Sequence, residues 1–111
     1  MNRIKLAGLT AFLVLPLLCA AETWKDVTLV DVACSAKVKA NPDAHTRDCA
    51  LQCSKSGYAI ITSDGKILKL DTKGNQDAIT ALKASTIKDH VRATVTGEQE
   101  GDTIKVASLK M

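Results

Sequence analysis

Residues 58–70 read YAIITSDGKILKL, in which two short apolar runs flank the dipeptide Asp64-Gly65. An Asp-Gly pair between two such runs is a strong short-range signal for a tight turn that joins antiparallel strands. The segment therefore predicts a β-hairpin, and with it an antiparallel sheet in the middle of the chain.

The segment before the hairpin predicts one strand, one loop and one short helix. Residues 24–33 predict the strand, because apolar and polar residues alternate along them. Residues 37–43 include Asn-Pro-Asp and predict a turn or loop. Residues 47–55 predict the helix, with Thr46 or Asp43 as its N-cap.

The segment after the hairpin predicts a second helix and a second pair of strands. Residues 76–85 predict the helix, with Asn75 as its cap and apolar side chains at helical spacing. Residues 91–96 and 103–109 predict strands, because apolar and polar residues alternate in both. A polar turn with two glycines separates them.

This order of elements predicts an α+β fold that is mainly antiparallel β. Five short strands, with one helix between strands 1 and 2 and one between strands 3 and 4, are the order of an OB-like small barrel. Closure into a barrel is favoured because it hides strand edges that so short a chain cannot otherwise cover. An open α+β sheet is the alternative.

The N-terminal segment predicts export. Residues 1–21 carry Arg3 and Lys5, then the apolar run 6–18, then small residues. This is the layout of a signal peptide. We expect its removal to leave one domain, residues 22–111, with no integral membrane segment, in the periplasm or the medium. Alternatively, cleavage leaves Cys19 as a lipidated N-terminus that anchors the protein to a membrane.

The composition of the predicted mature chain bounds its partners. Removing Arg3 and Lys5 from the 15 Lys and Arg leaves 13 against 12 Asp and Glu, a net charge of +1. Trp24 and Tyr58 are then its only aromatic residues. Single-strand nucleic-acid binding by an OB-fold needs a basic groove with stacking aromatics, so a nucleic-acid partner is not expected. An unidentified protein or small ligand is expected instead.

The residues with possible site chemistry are three cysteines and one histidine. A helix places Cys49 and Cys53 one turn apart, while Cys34 and His45 come from the preceding strand and loop. As a metal site, these four residues suit Zn²⁺, and the sulfurs alone suit Cu⁺. Sharing one ion requires that the helix begin at Thr46 or later, so that His45 can fold back. No cofactor is required by any motif.

A disulfide is the first alternative for the same residues. In an oxidising compartment, Cys34 pairs with Cys49 or Cys53 and leaves one thiol free. A thiol-redox role for Cys49 is the other alternative, because the first turn of a helix stabilises a thiolate. Known catalytic motifs are absent from the sequence. The leading hypothesis is an exported, non-catalytic binding or accessory domain with a disulfide-pinned Cys34–Cys53 segment, and a metal-binding protein is the alternative.

Several pieces of the chain resemble small secreted bacterial proteins of uncharacterised function that are related to OB-fold domains. They are Val30–Cys34, the series His45…Cys49-Ala50…Cys53, residues 62–68 and Val95-Thr96-Gly97. The resemblance implies an OB-like fold and an exported location, with no activity to carry over. Three residues separate His45 from Cys49, where the family implies two.

Overall fold

The structure is a computed structural model that describes residues 21–111. Its strands are β1 (Glu22–Asp31), β2 (Tyr58–Ile61), β3 (Ile67–Leu70), β4 (Arg92–Glu100) and β5 (Thr103–Lys110). Its α-helices are α1 (Ser35–Ala40), α2 (Arg47–Gln52) and α3 (Thr72–Ala84). Three short 3₁₀ turns cover Val32–Cys34, Pro42–Ala44 and Ser54–Ser56. The predicted signal segment, apart from Ala21, and the alternative lipidation site Cys19 lie outside the described residues.

The five strands close into a barrel in the order β1-β2-β3-β5-β4. Strand β1 pairs antiparallel with both β2 and β4, and the short β3 pairs parallel with β5. This confirms the predicted α+β, OB-like five-stranded barrel, and the open-sheet alternative is wrong. The predicted hairpin is also present, because β2 pairs antiparallel with β3 from Ile61↔Ile67 onward.

Helix α3 packs on the barrel through a face of small and apolar residues. Gly74, Ala78 and Leu82 are its buried residues. A Cβ atom at Gly74 would lie 2.5 Å from the Cγ2 atom of Val106 in β5, so only glycine allows this close approach. The main core cluster joins the helix to side chains from all five strands. No helix within residues 21–111 has the length and apolarity to cross a membrane.

The connection between β1 and β2 differs from its prediction. Residues 37–43 were expected to form a loop, but α1 runs through to Ala40, so this connection holds two α-helices and not one. Val38 explains the difference, because it is buried in a second apolar cluster with Val30, Ala59 and Ile61. Burial of one side chain on the outside of the sheet is a long-range effect that local turn signals do not contain.

The predicted ends of three elements also shift. The first strand stops at Asp31, because its side chain caps the turn that follows. Thr46 is the N-cap of α2, as predicted, but this helix ends at Gln52, before the expected residue 55. Helix α3 begins at Thr72 with Asp71 as its N-cap. Asn75 is not the cap, since its side-chain oxygen accepts the backbone N–H of Tyr58 at 2.8 Å.

Candidate metal and thiol site

The site begins at Asp31, where β1 ends. Asp31 is fully buried. Its Oδ2 atom accepts the backbone N–H of Cys34 at 3.1 Å, and this hydrogen bond caps the 3₁₀ turn Val32–Cys34. The turn therefore brings Cys34 back toward the carboxylate that precedes it.

Cys53 reaches the same place through helix α2. Two hydrogen bonds from the Arg47 guanidinium, to the carbonyl oxygens of Leu82 and Ser85, tie this helix to the end of α3. The buried Tyr58 hydroxyl donates to the carbonyl oxygen of Ala50 at 2.9 Å. Cys53 follows as the C-cap of α2. The position of its side chain is thus set by the barrel and by α3, and not by α2 alone.

The result is a compact group of three side chains from two segments. One oxygen of Asp31 and the sulfur atoms of Cys34 and Cys53 lie within 4.8 Å of one another. Both cysteines are half-buried and are thiols in the structure. We call Asp31, Cys34 and Cys53 the thiol–carboxylate cluster. Solvent reaches it from the side of the sulfur atoms, while the carboxylate lies beneath them.

His45 lies beside this cluster, against the carboxylate. Its Nε2 atom is 3.0 Å from the Oδ1 atom of Asp31, and the two side chains are only 5% and 0% exposed. The approach does not have hydrogen-bond geometry. A buried polar atom without a partner is costly. The two atoms are at ion-pair distance from each other, and neither has a hydrogen-bond partner among the described residues.

Burial and the charge of Asp31 disfavour the anionic forms of the neighbouring side chains. Burial, the hydrogen bond to Asp31 and the charge of Asp31 raise the pKa of the Cys34 thiol, and Lys37 only partly opposes them. Burial, and then Asp31 and Cys53, raise the pKa of the neighbouring Tyr58 hydroxyl. In both cases the negative charge near the cluster disfavours another anion. A bound cation would reverse that balance and favour the thiolate forms.

The distances and donor types suit a zinc ion. Zn–S bonds of about 2.3 Å at a tetrahedral angle place two sulfur atoms about 3.8 Å apart. The sulfur atoms of Cys34 and Cys53 therefore need to approach each other by about 1 Å at most, given the limit of 4.8 Å. Nitrogen and oxygen ligands on one zinc ion lie about 3.3 Å apart. His45 lies 3.0 Å from Asp31, but it is not among the ligand atoms within 4.8 Å of one another, so three ligands are brought together in the structure.

The structure divides the residues that the sequence put forward. It brings Cys34 and Cys53 together, with His45 in contact through Asp31. It leaves Cys49 exposed and outside the thiol–carboxylate cluster. Helix α2 begins after Thr46, as sharing an ion with His45 requires. Asp31 was missed, although an acid directly after the apolar pair Leu29-Val30 was a signal for it.

The remaining candidates lie elsewhere. Trp24 packs against the core and also lines an open cavity of about 800 Å³ beside β1 and the β2–β3 turn. His90 is exposed and has a positive φ of 53°. It contacts Asp89 at 2.8 Å and Asp43 at 3.6 Å. Neither group shares a residue with the thiol–carboxylate cluster.

Comparison with protein-family models, curated proteins and solved structures finds no match for the chain. The fold and the geometry of the cluster are therefore the whole basis for a functional conclusion.

Proposed function

We propose that this protein is an exported, non-catalytic accessory domain that binds one Zn²⁺ ion at the thiol–carboxylate cluster. Cys34, Cys53 and Asp31 supply three ligands. His45 either completes the tetrahedron or holds the carboxylate in place beside the ion. Export is supported by the signal-peptide pattern of residues 1–21.

The observation that carries this proposal is the group of two sulfur atoms and one buried carboxylate oxygen within 4.8 Å of one another, with His45 against the carboxylate. Thiols that lie close together are common in disulfide-bonded proteins, and so the two cysteines alone do not favour a metal. The buried carboxylate oxygen beside them adds a third ligand atom of a type that zinc accepts. A zinc ion that takes an oxygen of Asp31 as a ligand would satisfy that carboxylate, and His45 would lie beside it.

Zinc is preferred over copper because of the donor set. Thiolates alone select soft ions such as Cu⁺, whereas carboxylate and imidazole ligands favour harder ions. A set of two sulfurs, one carboxylate oxygen and one imidazole nitrogen belongs to the range that Zn²⁺ accepts. Copper binding with the carboxylate left out is therefore the competing result, and the test below separates the two.

The test is native mass spectrometry of the purified, exported protein after reduction and removal of metal, followed by titration with Zn²⁺ and, separately, with Cu⁺. We expect one Zn²⁺ per chain and protection of two of the three thiols from alkylation. Failure of the reduced protein to bind Zn²⁺ overturns the proposal, as does a preference for Cu⁺ that Asp31→Asn leaves unchanged.

Two cysteine variants provide matched arms for this test. Cys53→Ser removes one ligand and is expected to abolish stoichiometric Zn²⁺ binding. Cys49→Ser removes an exposed thiol one helical turn away and is expected to bind Zn²⁺ as the parent protein does. Far-ultraviolet circular dichroism on both variants shows whether the fold is retained. Loss of binding in Cys49→Ser would contradict the assigned ligands.

A further inference from the structure

We propose that Cys34 and Cys53 are also a reversible disulfide pair, and that Zn²⁺ and the disulfide exclude each other at the cluster. This inference rests on the proposed function, and it adds a regulation of that site. The site holds metal only while both thiols are reduced, and bound metal keeps the thiols from oxidation. The protein would thereby release Zn²⁺ when an exported disulfide oxidant reacts with it.

The geometry selects Cys34 and Cys53 as the pair. Their sulfur atoms lie within 4.8 Å of each other, whereas Cys49 is exposed and outside the cluster. A disulfide requires the sulfur atoms to approach to about 2.05 Å. The two sulfur atoms therefore have to close a gap of about 2.8 Å at most to form the bond.

The backbone at both cysteines also allows this movement. Cys34 joins the turn Val32–Cys34 to helix α1, with φ −106° and ψ 5°. Cys53 is the C-cap of α2, with φ −100° and ψ 26°. Neither residue lies inside a regular helix, where the backbone hydrogen bonds on both sides would resist a shift. The bond would close a loop of about 20 residues, which lowers the chain entropy of the unfolded state.

The oxidant is a protein or small-molecule disulfide, and the exchange balances without another reactant. One cysteine sulfur attacks a sulfur of the oxidant, which forms a mixed disulfide and releases the first thiol of the oxidant. The second cysteine attacks the mixed disulfide and releases the second thiol. Two electrons pass from the pair to the oxidant, and the two thiol protons end on its reduced sulfurs. With Zn²⁺ bound, the sulfur electron pairs would be held by the metal, so the oxidant would react with the metal-free fraction and its reaction would draw Zn²⁺ off the site.

The inference is tested by the redox equilibrium of the purified protein in glutathione buffers, with and without Zn²⁺. Metal-free protein is equilibrated over a range of ratios of glutathione disulfide to the square of glutathione, alkylated and analysed by peptide mass spectrometry. We expect loss of two hydrogens, a Cys34–Cys53 crosslink and alkylation of Cys49. Free Zn²⁺ at 100 times its Kd should raise the midpoint ratio about 100-fold.

Two outcomes overturn the inference, and they can be told apart from failure of the proposed function. If the reduced protein binds Zn²⁺ but the midpoint does not move, the coupling is wrong and the metal site stands. A crosslink through Cys49 likewise refutes the pairing. If the reduced protein binds no Zn²⁺, the proposed function fails and takes the inference with it. The Cys49→Ser variant should keep the parent midpoint, and Cys53→Ser should form no internal crosslink.

Discussion

Asp31 and Asp71 occupy equivalent places in two connections of the barrel, yet their side chains have different surroundings. Asp31 is the last residue of β1 and Asp71 follows β3, and each accepts the backbone N–H of the residue three positions later, Cys34 or Gly74. The carboxylate of Asp71 also accepts the N–H of Val106 at 3.3 Å, so only backbone donors satisfy it. The carboxylate of Asp31 instead faces His45 and two thiols.

The same local motif, an aspartate that caps a helical turn, thus occurs in two different surroundings. Both aspartates stop a strand and start a helical turn, which is the ordinary work of an N-cap. At Asp71, a neighbouring strand supplies the remaining partner, and the result is a stable joint between β3, α3 and β5. At Asp31, the side chains of His45 and two cysteines lie near the carboxylate where Asp71 has a backbone N–H group. The Oδ1 atom of Asp31 has no hydrogen bond within the described residues. Asp71 is thus structural, whereas Asp31 belongs to the candidate site.

The largest expected effect comes from replacing Asp31 while keeping its shape. Asp31→Asn preserves an oxygen for the N–H of Cys34 but removes the charge and the zinc ligand. We expect Zn²⁺ affinity to fall by about 100-fold or more. Stability of the metal-free protein should fall, because the variant removes one partner of the buried pair of Asp31 and His45. Zinc titration and chemical denaturation measure the two effects.

Asp48→Asn is the matched control for that change. Asp48 lies on the same connection, but its side chain is 80% exposed. It should alter neither zinc affinity nor stability. If Asp31→Asn is destabilised but keeps the zinc affinity of the parent, Asp31 is a structural residue in the same way as Asp71.

The next largest effect is a loss of zinc affinity when His45 is replaced. His45→Gln keeps a polar side chain but loses the imidazole nitrogen that lies 3.0 Å from the carboxylate. Residues that hold a metal ligand in place are worth about 10- to 100-fold in affinity, and we expect a loss in that range. Competition with a zinc-sensitive dye measures it. His90→Gln should bind as the parent does, and equal affinities in all three proteins would remove His45 from the site.

A smaller effect, on stability and not on zinc affinity, is expected at Asp71. Asp71→Ala removes the acceptor for the N–H groups of Gly74 and Val106. Loss of such a cap destabilises a protein by about 1–2 kcal/mol, and urea denaturation measures it. Zinc affinity should not change. Asp77→Ala on the same helix removes only a surface ion pair with Lys73 and should cost less than about 0.5 kcal/mol. Weaker zinc binding in Asp71→Ala would show that the two connections are coupled.

The smallest effect concerns pH and the contact between His90 and the β1–β2 connection. The hydrogen bond to Asp89 and the charge of Asp43 raise the pKa of His90, and Arg92 partly opposes them. Because the folded-state pKa is raised, the stabilisation is present below the unfolded value of about 6.5 and is lost as pH rises through the folded value.

His90→Asn measures this contribution. The stability difference between parent and variant should be present at low pH and should vanish above the raised pKa. Denaturation midpoints over a pH series give the difference, and an NMR titration of the His90 ring gives its pKa. A difference that does not change with pH would show that protonated His90 does not stabilise this connection.

Much of the barrel was predictable because its signals are local. The Asp64-Gly65 turn and the alternation in residues 91–96 depend on neighbours within a few positions. The Thr46 cap is local as well, since Thr46 accepts the N–H of Cys49 three residues on. The α1 helix was missed because the burial of Val38 depends on a distant part of the sheet.

The site was only partly predictable for the same physical reason. The sequence named Cys34, Cys53 and His45, but it did not separate them from Cys49. That separation follows from how α2 is tied to α3 through Arg47 and to β2 through Tyr58. These contacts span up to 38 positions in the chain, so no local pattern contains them.

The sequence by itself determined the kind of strands and turns, the OB-like order and a short set of sulfur and imidazole ligands. Backbone preferences and hydrophobic periodicity act over a few residues, so they can be recognised in the sequence alone. The tertiary structure alone decided that β3 would pair parallel with β5, which closes the barrel. It also decided which of two similar aspartates would meet thiols and an imidazole. That outcome depends on packing between distant segments, since the partner of a capping carboxylate is whatever the fold brings to its free oxygen.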